Sequence, residues 1–327
     1  MTQTKKAKET TMRAIALDRF GGPETLKVQT VPIPEPGADE ILIHVESAGV
    51  GAWDPFEREG RFVEVLGLTP EFPYVLGTDG AGTIAAVGEN VKELKEGDRV
   101  YAAELGNPKG GFYAEYAVVN ADNAALIPSG LSMDQAAVLP SDGLTALKGL
   151  EDVLRLQPDE SVMIFGASGG IGHLAVQLAK RLGARVFAVA SGEDGVSFAR
   201  RLGADAAVDG RSEKVLDVAR EFAPDGIDAA LVTAGGEATD RALVAIRPGG
   251  RIAYPNGVMP APKASDRVSV DAYDGEGGRE AIGRLNELIE AGPFEVHVHR
   301  VFPLEQAAEA HAALEEHHLG KIALSVG

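Results

Sequence analysis

The seven-residue run Gly166-Ala167-Ser168-Gly169-Gly170-Ile171-Gly172 decides the fold. It follows the apolar stretch Ser161-Val162-Met163-Ile164-Phe165 and leads into the helical pattern His173-Leu174-Ala175-Val176-Gln177-Leu178-Ala179-Lys180. A strand, a glycine turn and a helix in this order form a phosphate cradle, because bare backbone N–H groups and the positive end of the helix dipole face the turn. Glycine permits both the tight turn and the close approach of a pyrophosphate. The run therefore predicts a nucleotide site.

The pattern on either side of this run predicts two kinds of domain in the 327 residues. Residues 12 to about 125 read as short alternating strands separated by turns, which is typical of a β-barrel. After a capping start at Ser132-Met133-Asp134-Gln135, strands and helices alternate, as in a doubly wound parallel sheet. We expect an α/β fold with a barrel domain at 1–130, a nucleotide-binding domain at 131–265, and a segment at 266–327 that is partly an interface strand before it returns to the barrel.

Composition excludes several classes of function. The net charge of -18 disfavours nucleic-acid and anionic-membrane partners, which need a basic face. The absence of cysteine rules out disulfides, thiolate nucleophiles and zinc–sulfur sites. Residues 1–11 lack the apolar core of a secretory signal, and no apolar run approaches the roughly 20 residues of a spanning helix. We expect a soluble, cytoplasmic protein.

The end of the strand after the cradle indicates the cofactor. In NAD-binding folds an acidic residue at this point binds the ribose hydroxyls. Here the point is Ala190-Ser191-Gly192, whose small hydroxyl residue leaves room for a 2′-phosphate and favours NADPH. NADH stays open as the alternative because Glu193 and Asp194 follow closely. The basic residues expected to be nearest are Arg200 and Arg201.

Several ordered motifs resemble the zinc-free quinone oxidoreductase (zeta-crystallin-like) branch of the medium-chain dehydrogenase/reductase superfamily. The resembling segments include Pro73-Tyr74-Val75-Leu76-Gly77-Thr78-Asp79-Gly80-Ala81-Gly82, Lys95-Glu96-Gly97-Asp98-Arg99-Val100, Gly143-Leu144-Thr145-Ala146 and Gly320-Lys321-Ile322-Ala323-Leu324. The resemblance implies a GroES-like catalytic domain that carries a Rossmann insertion, with NADPH and substrate in the cleft between them. It also implies hydride transfer to quinones or to activated carbon–carbon double bonds.

The resemblance also implies that no metal is bound. Metal-dependent relatives have Gly-His-Glu where this chain has Gly77-Thr78-Asp79, and this chain has no cysteine ligand. Without a Lewis acid an alcohol is hard to ionise, which favours a quinone or enone acceptor. We expect Asp79 and Thr78 to fill the vacated space.

The resemblance supplies the candidate site residues. The cofactor-binding set is Gly166, Ser168, Gly169, Gly170 and Gly172 for the pyrophosphate, Ser191 for the 2′-phosphate, Thr145 near the nicotinamide, and Ala234, Gly235, Asn256 and Gly257 along the cleft. Asp54 and Tyr74 are the candidate proton donors, with solvent as the other source. The alternatives without a functional role are a surface acid or helix cap for Asp54 and a structural N-cap for Thr145.

Departures from the resemblance keep a second function open. Relatives often have Asn at the position of Gly51 and Tyr at that of Phe56, and a phosphate-binding Lys where Gly195 stands. The alternative is a nicotinamide-binding sensor or structural protein with little catalysis, and an alcohol dehydrogenase ranks third. The alternating Val268 and Val270 predict an edge strand that pairs two copies into a homodimer.

The histidines do not predict a metal site. His44 is expected to be exposed, and Glu295, His297 and His299 to lie on a solvated strand face. His317-His318 are expected at a helix end.

Overall fold

The computed structural model describes residues 10–67, 69–275 and 277–327, within which the strands form three sheets. The strands are β1 (Thr11–Leu17), β2 (Lys27–Pro32), β3 (Glu40–Val50), β4 (Tyr74–Val75), β5 (Asp79–Val87), β6 (Arg99–Ala103), β7 (Tyr116–Asn120), β8 (Ala124–Leu126), β9 (Ser161–Phe165), β10 (Arg185–Ala190), β11 (Ala206–Asp209), β12 (Ile227–Val232), β13 (Ile246–Pro255), β14 (Ser269–Tyr273), β15 (Val298–Pro303) and β16 (Lys321–Ser325). The helices are α1 (Asp54–Arg58), α2 (Phe62–Leu66), α3 (Met133–Ala137), α4 (Pro140–Lys148), α5 (Gly170–Arg181), α6 (Gly192–Arg201), α7 (Val215–Phe222), α8 (Glu237–Ala242), α9 (Arg279–Glu290) and α10 (Ala307–Ala313). None of the helices in these ranges has the length and apolar character needed to cross a membrane.

The seven-stranded sheet combines strands from both ends of the chain. Its order is β15-β16-β3-β5-β6-β8, and β7 also pairs with β3. Strand β16 runs antiparallel to β3, with Ile322 opposite Val50. Side chains alternate along β3, so that Ile41 and Ile43 are buried while His44 is exposed, as expected. The C-terminal strands thereby bring the residues around 320 next to the turn that follows β3.

Two short helices interrupt the β-rich half, which the sequence predicted to be strands and turns alone. Helix α1 begins at Asp54 with Pro55 in its first turn, a position where proline costs no hydrogen bond. Helix α2 ends at Gly67, whose φ of 64° gives a left-handed cap. Each helix has five residues, too few for an apolar period to appear.

The second half forms the predicted parallel sheet, in the order β11-β10-β9-β12-β13-β14. All five residues of β9 are buried, as expected for a central strand covered on both faces. The order reverses between β9 and β12, and a crevice opens at such a switch point beyond the carboxyl ends of the strands. A capping box between Ser132 and Gln135 starts α3, which confirms the predicted helix start.

Candidate active site

The glycine turn lies at the carboxyl end of β9, where α5 begins. Gly166 has a φ of 86°, a left-handed conformation that strains other residues. Gly169 precedes the first turn of α5, and no side chain caps that helix. A Cβ built on Gly169 would meet its nearest heavy atom only at 3.5 Å, so the groove is open here. An uncapped helix N-terminus beside open space fits a pyrophosphate.

Two other glycines of the run allow close packing. A Cβ on Gly172 would lie 2.0 Å from the carbonyl oxygen of Gly166, so glycine lets α5 pack against the turn. A Cβ on Gly170 would lie 2.3 Å from the Asp142 carboxylate and 2.8 Å from Cδ of Lys321. The sequence assigned Gly170 to the pyrophosphate alone, whereas its Cα also makes room for this ion pair.

Ser168 and Ser191 lie side by side at the carboxyl ends of β9 and β10. The Ser191 N–H donates to Ser168 Oγ at 3.4 Å, and the exposed Ser191 side chain does not cap α6. A Cβ on Gly195 would lie 2.9 Å from Ser168 Oγ, so a larger residue there would displace the Ser168 side chain. The Ser191 hydroxyl therefore remains open to a ligand.

The opposite wall follows β12 and β13. The Ala234 carbonyl accepts a hydrogen bond from Thr239 Oγ1 at 2.7 Å, and the Asn256 N–H donates to the Tyr273 carbonyl at 2.9 Å. A Cβ on Gly235 would lie 2.0 Å from the Pro260 carbonyl oxygen, whereas one on Gly257 meets nothing within 4 Å. Of these two positions, packing requires glycine at 235 and not at 257.

Thr145 lies inside α4, so the alternative of a structural N-cap at this residue is wrong. The Tyr273 hydroxyl donates to the Thr145 carbonyl at 2.8 Å, an oxygen that also accepts the Gly149 N–H at the end of α4. A Cβ on Gly275 would lie 2.5 Å from Thr145 Oγ1. Thr145 is thereby tied to the loop after β14.

A buried ion pair forms the floor between the cradle and the β-rich half. Lys321 Nζ lies 2.8 Å from Asp142 Oδ2 and 4.8 Å from the centre of the Trp53 ring. The Trp53 Nε1–H donates to Thr78 Oγ1 at 3.2 Å. Burial alone would lower the pKa of Lys321, but the charges of Asp142 and Asp79 outweigh it and raise the pKa. The floor therefore carries a fixed ammonium.

Asp79 bonds the neighbouring helix instead of facing an open site. Its Oδ1 accepts hydrogen bonds from the Ser141 N–H at 2.9 Å and the Ser141 hydroxyl at 2.6 Å. Burial, with the charge of Asp142, raises its pKa to about 7, although Lys321 opposes the shift. Within the described ranges no group of three or more His, Cys, Asp or Glu side chains is arranged to hold a metal ion. Thr78 and Asp79 are thus committed to Trp53 and Ser141.

Asp54 ends a directed chain of buried hydrogen bonds beneath the floor. Its Oδ2 accepts from the Gly51 N–H at 2.9 Å and from the Tyr113 hydroxyl at 2.7 Å. Arg58 must donate to His311 Nδ1, at 3.1 Å, so the proton of the neutral ring lies on Nε2 and is donated to Tyr113, also at 3.1 Å. Burial, followed by the charge of Arg58, lowers the pKa of His311 to about 3, which keeps the ring neutral.

The candidate proton donors are both enclosed. Asp54 has no exposed surface, and burial together with the Glu57 charge raises its pKa to about 7. Tyr74 is 8% exposed and donates its proton to Glu57 Oε1 at 2.7 Å. Burial and Glu57 raise the pKa of this phenol well above its usual value. These contacts argue against direct proton transfer from either residue to a substrate, and against a surface position for Asp54.

The histidine of the site was missed by the sequence analysis. His311 has no local signal beyond its place on the buried side of α10, and its partner Arg58 lies 253 residues away. The pair at 317–318 was expected at a helix end but lies beyond α10, which ends at Ala313. His317 Nε2 instead contacts Asp194 of α6 at 2.9 Å.

Comparison with known proteins assigns the family. Residues 37–129 match the alcohol dehydrogenase GroES-like domain, and residues 170–268 match the zinc-binding dehydrogenase family. A quinone oxidoreductase of Mus musculus is 31% identical over 314 residues, which cover 92% of this chain and 93% of the relative. The chain is a medium-chain dehydrogenase/reductase. It belongs to the zinc-free quinone oxidoreductase branch of that superfamily.

Other medium-chain reductases resemble the chain over nearly its whole length. The NADPH-dependent alkenal/one oxidoreductase of Arabidopsis thaliana chloroplasts is 32% identical, across 95% of this chain and 78% of the relative. The crystal structure of an NAD-dependent alcohol dehydrogenase superposes with a TM-score of 0.88 at 30% identity, covering 97% of this chain and all of that one. The predicted combination of a GroES-like and a Rossmann-type domain is confirmed.

Proposed function

We propose that this protein is an NADPH-dependent reductase that transfers a hydride to a quinone or an α,β-unsaturated carbonyl. The observation that carries the proposal is the open cradle at Gly169, which adjoins a floor made by Trp53 and the Lys321–Asp142 pair. Relatives named for quinone and for alkenal or enone reduction support the acceptor class, and the Arabidopsis name supports NADPH.

The residues present fit the dinucleotide along one groove. The uncapped first turn of α5 would hold the pyrophosphate, with Gly166 and Gly172 shaping the turn. Ser191, beside Ser168, would face the adenosine ribose. The residues assigned to the nicotinamide half are Thr145, Ala234, Gly235, Asn256 and Gly257. Bound here, the reduced nicotinamide supplies the hydride, and the chain supplies orientation and exclusion of water.

The role of the floor is to provide a rigid surface that excludes water opposite the cradle. Lys321 is 4% exposed, so its charge acts on the cleft through space and not by contact. We assign Asp54 and Tyr74 positioning roles: Asp54 fixes the Gly51 amide at the turn that leads to Trp53, and Tyr74 holds Glu57 by a hydrogen bond to its Oε1. The proton that completes the reduction comes from solvent.

Oxidation of NADPH by the purified protein tests the proposal. The acceptors are 1,4-benzoquinone, 9,10-phenanthrenequinone and a 2-alkenal, and the absorbance of the reduced nicotinamide is followed with and without protein. Turnover of at least one acceptor is expected. Nucleotide binding without turnover of any acceptor would overturn it and favour the sensor or structural alternative.

Alcohol oxidation is the second candidate, because the structural neighbour reported above is an alcohol dehydrogenase. The commitment of Thr78 to Trp53 and of Asp79 to Ser141 argues against it, since neither side chain is free to ligate a metal. Ethanol oxidation with NAD⁺ that a chelator abolishes would support this candidate and contradict our proposal.

We further propose a homodimer in which two β14 strands pair. Strand β14 is an edge strand, bonded to β13 on one side. Its first four residues are exposed, and Val270 is 38% exposed, which leaves an open strand edge with an exposed valine. A monomer by light scattering would contradict the proposal.

A further inference from the structure

A basic side chain lies at the adenosine end of the groove. Strands β10 and β11 are parallel neighbours that end level, with Ala190 beside Asp209. The Ser191-Gly192 turn follows one strand and Arg211 follows the other. A Cβ on Gly192 would lie 3.3 Å from Arg211 Nη2, so the guanidinium lies against the turn that begins α6.

Asp209 holds this guanidinium in place. It accepts from the Arg211 backbone N–H at 3.0 Å, from Nε at 3.2 Å and from Nη2 at 3.3 Å. An ionised carboxylate has about four acceptor positions, so most of its capacity is used by this one residue. Asp209 is therefore poorly suited to accept the two ribose hydroxyls of NADH. Within the described part of the chain, Nη1 of Arg211 makes no hydrogen bond, and the side chain is 70% exposed.

The other basic residues near α6 point elsewhere. Arg200 Nη2 donates to the Ala207 carbonyl at 3.0 Å. Arg201 is paired with Glu295, through Nη2 at 2.6 Å and Nε at 3.3 Å. The sequence-based expectation that these two arginines lie nearest the phosphate is thus not supported by their contacts. Gly195, on the first turn of α6, has no side chain and so supplies no basic group.

We propose that Arg211 recognises the 2′-phosphate of NADPH, with Asp209 as its positioning residue. The free edge of the guanidinium and the Ser191 hydroxyl then form the two sides of the phosphate site. A planar guanidinium suits a phosphate because it offers two parallel N–H donors. This assignment rests on the proposed NADPH dependence and adds the residue that determines it.

The rival is recognition of NADH by Asp194. Its Oδ1 accepts from the Gly195 N–H at 2.9 Å, and its Oδ2 contacts His317. The side chain is 56% exposed, so acceptor positions remain for ribose hydroxyls. The two assignments make different predictions. Arg211 would favour ligands that carry a 2′-phosphate, whereas Asp194 would favour ligands with free ribose hydroxyls.

Binding measurements with two small probes separate these assignments. Adenosine 2′,5′-bisphosphate and adenosine 5′-monophosphate differ only in the 2′-phosphate, and neither depends on catalysis. Dissociation constants for both, and for NADPH and NADH, are measured by calorimetry on the full-length protein. The variants are Arg211→Gln, Arg211→Lys and the control Arg220→Gln. Arg220 of α7 is 69% exposed and paired with Asp217, which matches Arg211 in exposure and pairing.

The wild type is expected to prefer the 2′-phosphorylated member of each pair. Loss of a charged hydrogen bond predicts that Arg211→Gln weakens these two ligands roughly 10- to 100-fold and changes the other two less than about twofold. Arg211→Lys is expected to fall between, and Arg220→Gln to match the wild type. Equal weakening of all four ligands by Arg211→Gln, no weakening, or NADH preference that Asp194→Asn abolishes would overturn the assignment. Selective binding without turnover would contradict the proposed reductase activity alone, whereas turnover without selectivity would contradict Arg211 alone.

Discussion

The Asp54→Asn substitution is expected to remove the pH dependence that one buried carboxyl gives to stability. Burial raises the pKa of Asp54 from 3.8 to about 7 in the folded protein, with Glu57 adding to the shift. The folded state therefore holds this proton over a pH range in which the unfolded chain has lost it. The contribution of Asp54 to stability is full below about pH 4 and is lost as pH rises to about 7. Asparagine has no such proton to lose.

The expected magnitude follows from the shift. At about 1.4 kcal/mol per pH unit, the change from 3.8 to about 7 amounts to about 4 kcal/mol. The side-chain oxygen of asparagine can still accept the hydrogen bonds from Gly51 and Tyr113. Its NH2 group then takes the place of Oδ1, which has no hydrogen-bond partner. An unpaired buried amide costs about 1–3 kcal/mol at every pH. This constant offset leaves the pH dependence as the diagnostic quantity.

Urea unfolding of both proteins between pH 4 and pH 8 measures this difference. The free energy of unfolding of the variant, minus that of the wild type, should rise by up to about 4 kcal/mol across the range and then level off. Asp217→Asn is the control, because it makes the same chemical change at a carboxyl that is 78% exposed. A flat difference for Asp54→Asn would refute the raised pKa. A falling difference would mean that the bonds from Gly51 and Tyr113 outweigh burial.

Four other substitutions have expected outcomes, each of which follows from one local feature of the structure. Lys321→Met leaves Asp142 buried without its cation and should lower the free energy of unfolding in urea by about 3–5 kcal/mol; a loss under about 1 kcal/mol would contradict the ion pair's role. Gly172→Ala places a Cβ 2.0 Å from a backbone oxygen and should lower the thermal midpoint sharply, whereas Gly169→Ala should keep the midpoint and weaken NADPH binding. Equal midpoints for these two variants would contradict the division of roles. Val270→Lys on the edge strand should convert the proposed dimer to a monomer by light scattering, and an unchanged mass would place the interface elsewhere.

The sequence predicted those parts of the structure that depend on local pattern. The β9 strand, the glycine turn and α5 form one continuous unit, and the Ser132 capping box depends on residues three positions apart. The contacts beneath the cleft are long-range, such as that between Tyr113 and His311, 198 residues apart. No spacing in the chain signals such a contact. The expectation that Arg200 and Arg201 lie nearest the 2′-phosphate is not supported for a related reason. Their proximity in sequence did not specify the direction of either side chain.

The raised pKa values beneath the cleft follow from the charge balance of the whole buried cluster, and not from any one residue. In the floor and the network beneath it, buried acids outnumber buried cations: the acids are Asp54, Glu57, Asp79 and Asp142, and the cations are Arg58 and Lys321. Lys321 lies closest to Asp142, at 2.8 Å, and it opposes the pKa shifts of Asp54 and Asp79 without cancelling them. Burial penalises every uncompensated charge, so the surplus is removed by keeping protons on carboxyl groups. Neutral His311 adds no positive charge, because burial and then the charge of Arg58 lower its pKa. This buried cluster consequently gains negative charge as pH rises through about 7, close to the Lys321–Asp142 pair that adjoins the proposed phosphate cradle.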